Sequence, residues 1–333
     1  MAATQIETHD GARVPQGRQG YLETLRTLSE ASVDQHFEPF RDIDWDSPEL
    51  AVDPDDERWI LSDADTIGAS EWYKSLSRER QIAVGMYRMA QVCKTGVQFE
   101  QLLISGLMFY LLEAENQNPE FRYAMHEVTE ETHHNQMFQE AVNRICPDAT
   151  GAPKWLTTTI PLISTIARVF PELFFLVILA GEEPIDHMQK DILRHSKQGH
   201  PLMDRVMQIH VAEEARHIGF AHTYLTQRVP NLDVVRKTIL ALAFPVILRL
   251  GVDAIIKPAG PARRDMGIPD EVAKELWWGT PRAKKALRDH FSDVRMLAED
   301  LGLRGRIPRL VWKAVGIDGR PARFRAEPTN AAA

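Results

Sequence analysis

Glu130-Glu131-Thr132-His133-His134 and Glu213-Glu214-Ala215-Arg216-His217 decide the fold of this 333-residue chain. Each reads acid-Glu-x-x-His, and each lies in a stretch whose apolar residues recur at helical spacing. Residues three apart on a helix share a face, with Cβ atoms roughly 5–6 Å apart. A Glu and a His at that spacing can reach one metal ion, or a pair of ions, together.

Stepping back 31 residues from Glu131 lands on Glu100, and the same step from Glu214 lands on Glu183. Both fall in predicted helices, and each such helix is followed by a breaker and then by its Glu-x-x-His helix. The pattern is a helical hairpin, used twice. Packed as a four-helix bundle, two such hairpins turn four Glu and two His inward, as in carboxylate-bridged di-iron and di-manganese bundles. Carboxylates bridge two ferrous ions and shift their binding mode, imidazole suits iron, and there are no cysteines to build a thiolate site. His210 stands four residues before Glu214 and faces the same way, whereas the matching slot before Glu131 is Glu127. His210 is therefore predicted as a seventh ligand. The expected set is Glu100, Glu131, His134, Glu183, His210, Glu214 and His217.

A single Glu-x-x-His is usually a solvated surface pair. Two copies with matched partners in apolar helices are not, because an unpaired carboxylate in such company costs several kcal/mol. Register has competitors. Glu130 with His133 also fits the motif, and Glu182 competes with Glu183; both lose on the 31-residue step. His187, four after Glu183, reads as a satisfied core histidine or a supporting partner. Asp191, Asp204, Glu130 and Glu213 are candidates to hold the ligand histidines, and each could equally be a surface charge. Pro184 predicts a kink or π-bulge beside Glu183.

Around this centre the predicted helices run over 71–117, 120–146, 171–197, 202–228 and 232–256, the last interrupted at Pro245. The class is all-α: a ferritin-like four-helix core with additional N- and C-terminal helices. Residues 1–70 read as a largely irregular acidic segment wrapping the core, 71–260 as the bundle, and 261–333 as a helical extension with a basic tail. Residues 1–20 read as a loose terminus. From Asp34 to Asp65 stand twelve acids against Arg41 and Arg58, read as solvated surface; the tail carries seven Lys/Arg from Arg304 to Arg325 against Asp318 and Glu327. Pairing within or between chains is the simplest account of that polarity.

The formal net charge of −8 argues against a nucleic-acid partner. Two apolar runs, 160–180 and 239–256, come near to membrane hydrophobicity, but each contains charged residues and proline, so both read as helices buried in the bundle rather than spans. There is no signal-peptide pattern at the N-terminus. Cys93 and Cys146 share no metal or redox spacing, which fits a reducing cytoplasmic location. A homodimer is the expected assembly.

At Glu100, Glu131 with His134, Glu183, and the His-x3-Glu-x2-His of His210, Glu214 and His217, the sequence resembles the p-aminobenzoate N-oxygenase family of non-haem di-iron proteins, within the ferritin-like, ribonucleotide-reductase-like group. The additional histidine narrows the resemblance from the group to the family. It implies two iron ions, with manganese the alternative occupant, and dioxygen as co-substrate. It implies oxidation of an aryl amine through hydroxylamine toward nitroso or nitro products. The chain has no flavin or NAD fingerprint, so electrons would come from a reductase, a ferredoxin or a small-molecule donor. Competing readings keep the metals and change the reaction: a hydroxylase or desaturase acting on carbon of a lipid or natural product, or a metal-binding ferritin relative without oxygenation. A radical-generating subunit would need a tyrosine beside the metals, and neither Tyr110 nor Tyr123 stands one turn from an expected ligand.

Overall fold

A computed structural model describes residues 17–195 and 199–324, and these contain helices and loops but no strand. The helices are α1 (Arg18–Asp34), α2 (Pro39–Asp42), α3 (Glu71–Lys74), α4 (Arg78–Leu111), α5 (Phe121–Ile145), α6 (Lys154–Val169), α7 (Pro171–His195), α8 (Pro201–Arg228) and α9 (Val234–Ile256). Five short ones follow: α10 (Gly260–Asp265), α11 (Asp270–Leu276), α12 (Pro281–Asp289), α13 (Ser292–Asp300) and α14 (Arg306–Ala314). The four that matter most are α4, α5, α7 and α8. α4 packs on α5 and α7 on α8, as two antiparallel hairpins, and the hairpins meet through α5–α8 and α4–α7 contacts.

Three of the long helices start on a capping side chain. Ser77 accepts from the Arg80 amide at the start of α4, His200 from the Leu202 amide at the start of α8, and Asp233 from the Arg236 amide at the start of α9. These side chains satisfy amides that the first helical turn leaves without partners. Prolines stand where a helix needs no donor, at the first position of α7 and of α8.

The N-terminal segment is more ordered than the sequence suggests. It carries the 17-residue helix α1, whose buried face is Tyr21, Leu25, Ser29 and Ser32. Serines on that face hide the apolar periodicity. Its acids are not all solvated either. Asp65 is buried against Arg88 of α4 at 3.1 Å, and Trp59 stacks on His200 with centroids 3.9 Å apart. The segment is thus a strap fastened to α4 and α8. At the other end, Arg304 pairs with Glu299 and Asp318, so part of the basic tail is neutralised within the C-terminal region. Residues 1–16 and 325–333, including the outer parts of both expected termini, lie outside the described residues.

Two expectations about the apolar runs change. The run 160–180 is split between α6 and α7 at Phe170, and on α6 Leu162 and Val169 are exposed. α9 is long and apolar enough to cross a membrane, yet Leu240, Phe244, Leu248 and Val252 are buried while Val235, Ile239, Leu242, Val246 and Leu250 are exposed. It is half core and half surface, not apolar-buried all round. The helix α7 also runs through Pro184 without a π turn. Pro184 has no N–H for the carbonyl of Ala180, and α9 presses on that carbonyl. A Cβ on Gly251 would lie 3.0 Å from the Ala180 oxygen.

Candidate metal centre

Each core helix contributes at its middle. α4 supplies Glu100; α5 supplies Glu127, Glu131 and His134; α7 supplies Glu182; α8 supplies His210, Glu214 and His217. Positions three and four apart on α5 and α8 fall one above another on the inward face. All eight side chains are buried, and Glu131, His134, Glu214 and His217 are fully so. Two overlapping groups form: Glu100, His134, His210 and Glu214, and Glu131, His134, Glu214 and His217. Within each group the ligand atoms lie within 4.8 Å of one another. His134 and Glu214 belong to both, so the two groups adjoin within one buried chamber of donors.

Electrostatics show what that crowding costs. Burial, then the charges of Glu131 and Glu214, pushes the Glu100 carboxyl well up. Burial also raises Glu127, against the pull of His217, and raises Glu182 with help from Glu214 and Glu127. Burial would raise Glu131 too, but the charges of His217 and His134 hold it well below the usual carboxylate range. Burial opposes charge on His134, yet Glu131 outweighs it and lifts the imidazole to about 10. His217 is raised in the same way by Glu131 and Glu214. His210 goes the other way: burial lowers it to about 4 although Glu214 opposes. The protein alone therefore stores protons here in place of positive charge.

A metal pair fits the donors left over. Both oxygens of Glu182 and of Glu214, one each of Glu100, Glu127 and Glu131, and Nδ1 of His217 are buried and make no hydrogen bond among the described residues. His217 Nδ1 and Glu131 Oε1 approach to 2.6 Å without hydrogen-bond geometry. Such groups are expensive unless something else satisfies them, and a set of carboxylates and imidazoles without thiolate suits iron or manganese.

Behind this layer, each imidazole is held from outside. His217 Nε2–H donates to Glu130 at 2.7 Å, His134 Nε2–H to Glu213 at 2.9 Å, and His210 Nδ1–H to the Gln189 amide oxygen at 2.8 Å. The remaining nitrogen of each ring then faces the chamber. Arg216 reaches both Glu130 at 2.9 Å and Glu213 at 3.5 Å. The backbone amide of Phe37, in the strap, donates to Glu213 at 3.2 Å.

Six of the seven expected residues converge. Glu183 stands apart: it pairs with His222 and groups with His187 and Asp293, while its neighbour Glu182 is buried, has both oxygens unpartnered among the described residues, and feels the charges of Glu214 and Glu127. Neighbouring helical residues point about 100° apart, so one step in register exchanges the two. The 31-residue step fixes no register between helices, because the α4–α5 and α7–α8 connections differ. His133 stays at the half-buried edge, which favours the Glu131 and His134 register. Glu130 and Glu213 support the histidines as foreseen; Asp204 sits in the first turn of α8, and the Asp191 side chain lies outside the described residues. Sequence reasoning missed Gln189 and the inward role of Glu127, although Glu127 stands one turn before Glu131.

The family described as P-aminobenzoate N-oxygenase AurF matches residues 18–302 of the chain. The uncharacterized protein Rv0885 of Mycobacterium tuberculosis (strain ATCC 25618 / H37Rv) is 51% identical over 308 residues, covering 92% of this chain and 91% of the relative. The uncharacterized protein Mb0909 of Mycobacterium bovis (strain ATCC BAA-935 / AF2122/97) matches to the same extent, 51% over 308 residues.

Proposed function

The chain belongs to the p-aminobenzoate N-oxygenase family, and from that premise we propose that it is a di-iron oxygenase that uses dioxygen to oxidise the nitrogen of a small aryl amine. The family's fold is a ferritin-like di-iron helical bundle. The observation that carries the proposal is the buried chamber whose carboxylate oxygens lack partners. Glu100, Glu131, Glu182, Glu214, His134, His210 and His217 would hold the two ions. Once bound, a reduced iron pair supplies electrons to dioxygen, and an external reductase or ferredoxin restores them.

The chain's own residues do the rest. Glu130, Glu213 and Gln189 fix which ring nitrogen of His217, His134 and His210 faces the chamber. The third histidine gives each donor group an imidazole of its own from α8, His210 in one and His217 in the other, with His134 between them. Glu127 Oε2, buried and without a hydrogen bond, is placed to hold a proton beside the centre. Phe37 and Pro39 of the strap cover one side of His134 together with Met137 and Ile209, beside His133 and Glu213.

The test is to load the metal-free protein with ferrous iron under argon, count iron per chain, and admit dioxygen with p-aminobenzoate. Two irons per chain and N-oxidised product by mass spectrometry are expected. Two irons with oxygen consumed but no nitrogen oxidised across a panel of aryl amines would sink the N-oxygenase assignment. Failure to retain iron would sink the metal centre itself.

A further inference from the structure

Outside the four donor helices, α6 and α9 cover α4 and α7, and α14 lies on α9. Ile160 and Ile163 of α6 meet Ile255 of α9 in one apolar cluster with Phe99, Leu102 and Ile185, which ties both helices to the same side of the bundle. α14 runs beside α9 in the same direction. Lys237 of α9 stands beside Gly302, ahead of α14, and Arg249 donates to the Val315 carbonyl at 2.9 Å, just past its end. Between them Trp312 meets Phe244 edge-on, with centroids 5.8 Å apart.

Each of the three keeps an apolar stripe in solvent. On α6, Trp155, Leu162 and Val169 recur every seven residues and are exposed, while Leu156, Ser164 and Ala167 are buried on the other side. On α9 the exposed face of Val235, Ile239, Leu242, Val246 and Leu250 turns away from Gly251, which presses on Ala180 of α7. On α14, Ile307 and Leu310 are 70% and 62% exposed. They stand about 140° and 160° around the helix from the buried Trp312. Single exposed apolar side chains are ordinary, but several stripes on neighbouring helices mark a contact surface.

Charge says what the surface meets. Arg306, Arg309 and Lys313 run along one flank of the α14 stripe, and Arg236 and Lys237 stand at the start of α9. Asp233 and Asp318 partner Arg236 and Arg309 at 3.9 and 3.4 Å, whereas Lys237, Arg306 and Lys313 make no ion pair among the described residues. α6 and α14 contain no acid, and the one acid of α9, Asp253, is paired with Arg249 and Lys257. A second copy of this face would therefore offer those cations no partner. Residues 325–333 carry no large apolar side chain with which to cover the stripes. We propose that the face formed by α6, α9 and α14 lies on the surface of an anionic phospholipid bilayer. The stripes sit at the boundary between headgroups and acyl chains, and the cations sit on the phosphates. α9 lies flat rather than spanning, because Leu240, Phe244, Leu248 and Val252 hold its other side in the core. Trp155 fits that boundary, where one part of the ring is apolar and the other wet. The inference is independent of the di-iron reading.

The experiment floats the 333-residue protein with vesicles of phosphatidylcholine alone and of phosphatidylcholine mixed with phosphatidylglycerol. Binding to the mixed vesicles should be at least about tenfold tighter and should fall steeply with salt. Each cation near such a surface contributes about fivefold, so Arg306→Gln with Lys313→Gln should bind about 25-fold more weakly. Ile307→Ser with Leu310→Ser should weaken binding at least about tenfold and melt with the parent, since both side chains are exposed. Lipids brominated in their acyl chains should quench tryptophan fluorescence in the parent, and less so in Trp155→Phe. No flotation, equal binding to both kinds of vesicle, or undiminished binding in either double variant would overturn the proposal. So would a parent that ignores vesicles and sediments as a dimer, with Ile307→Ser and Leu310→Ser making it a monomer, because the occupant would then be a second copy. Iron content enters none of these outcomes, so a failure here leaves the metal reading standing.

Discussion

Glu130 of α5 accepts from His217 of α8 at 2.7 Å, across the seam between the two hairpins. Glu213 of α8 returns the relation to His134 of α5 at 2.9 Å. Each Glu-x-x-His helix therefore supports the histidine of the other, through the acid that precedes its own inward Glu. The doubled acid in both motifs thereby gains a separate purpose for each member: one faces the chamber, the other anchors a ring across it.

That exchange sets the first expectation. Glu130→Gln and Glu213→Gln keep shape but lose the anionic acceptor, and each should weaken iron binding roughly 10–100-fold, as loss of such outer partners does elsewhere. Competition with a calibrated chelator measures it. Arg216→Gln should cost less than either, because Arg216 touches both acids but neither imidazole. Unchanged iron affinity in both Glu variants would show that the cross-bracing is ornamental.

The second expectation separates Glu182 from Glu183. With Glu182 inward and Glu183 turned to His222, Glu182→Gln should lower iron stoichiometry toward one per chain. Glu183→Gln should leave it at two and instead lower thermal stability, since it weakens the buried hydrogen bond to His222. The reverse ranking, read by metal analysis and melting, would mean that α7 turns by one residue when metal enters.

What could be read from the chain, and what could not, divides along the same line. Spacing within a helix is geometry, so Glu131 with His134, and His210 with Glu214 and His217, were legible from sequence. Register between helices depends on connecting segments and on how α7 rolls against its neighbours, and no count of residues supplies that; hence Glu183 in place of Glu182. Gln189 left no trace, because a neutral amide in mid-helix breaks no pattern until it meets His210. The helix α1 was hidden by serines on its buried face, and the exposed half of α9 by its near-uniform apolarity.

The proton store predicts an unusual pH dependence. His134 titrates at about 10 in the folded apoprotein and near ~6.5 when unfolded, so its contribution to stability is complete below the lower value and is lost as pH climbs toward the upper. His217, raised likewise, acts with the same sign. Glu100, Glu127 and Glu182, also raised, favour the folded state at low pH and lose that contribution as pH rises through their folded values. His210, lowered to about 4, acts oppositely, but its window closes near ~6.5, where the unfolded ring titrates. Glu131, lowered, matters only at acid pH below the usual carboxylate value. From about pH 6.5 to 8.5 the apoprotein should therefore melt at progressively lower temperature. Iron displaces the same protons, so the loaded protein should lose this slope or reverse it. Parallel melting profiles with and without iron would contradict the account.

Gly181 tests how tightly the frame around Glu182 is built. A Cβ there would fall inside van der Waals contact with the Phe99 ring, which is 4% exposed and packs with Leu102, Ile185 and Ile255. Two effects of Gly181→Ala compete. Alanine in a helix interior gains about 1 kcal/mol over glycine, while overpacking a closed core costs about 1–3 kcal/mol. The clash should win, because it falls on a ring with no open side to turn into. The variant should melt below the parent. α7 would be pushed away from α4, so its iron affinity should fall although no donor has changed. Phe99→Leu in the same chain opens the space, and the double variant should recover part of both losses. The interaction in that cycle should be of order 0.5–3 kcal/mol, the range for residues in contact. Additive losses would mean that α7 and α4 are free to separate, and that the position of Glu182 is set by something other than this contact.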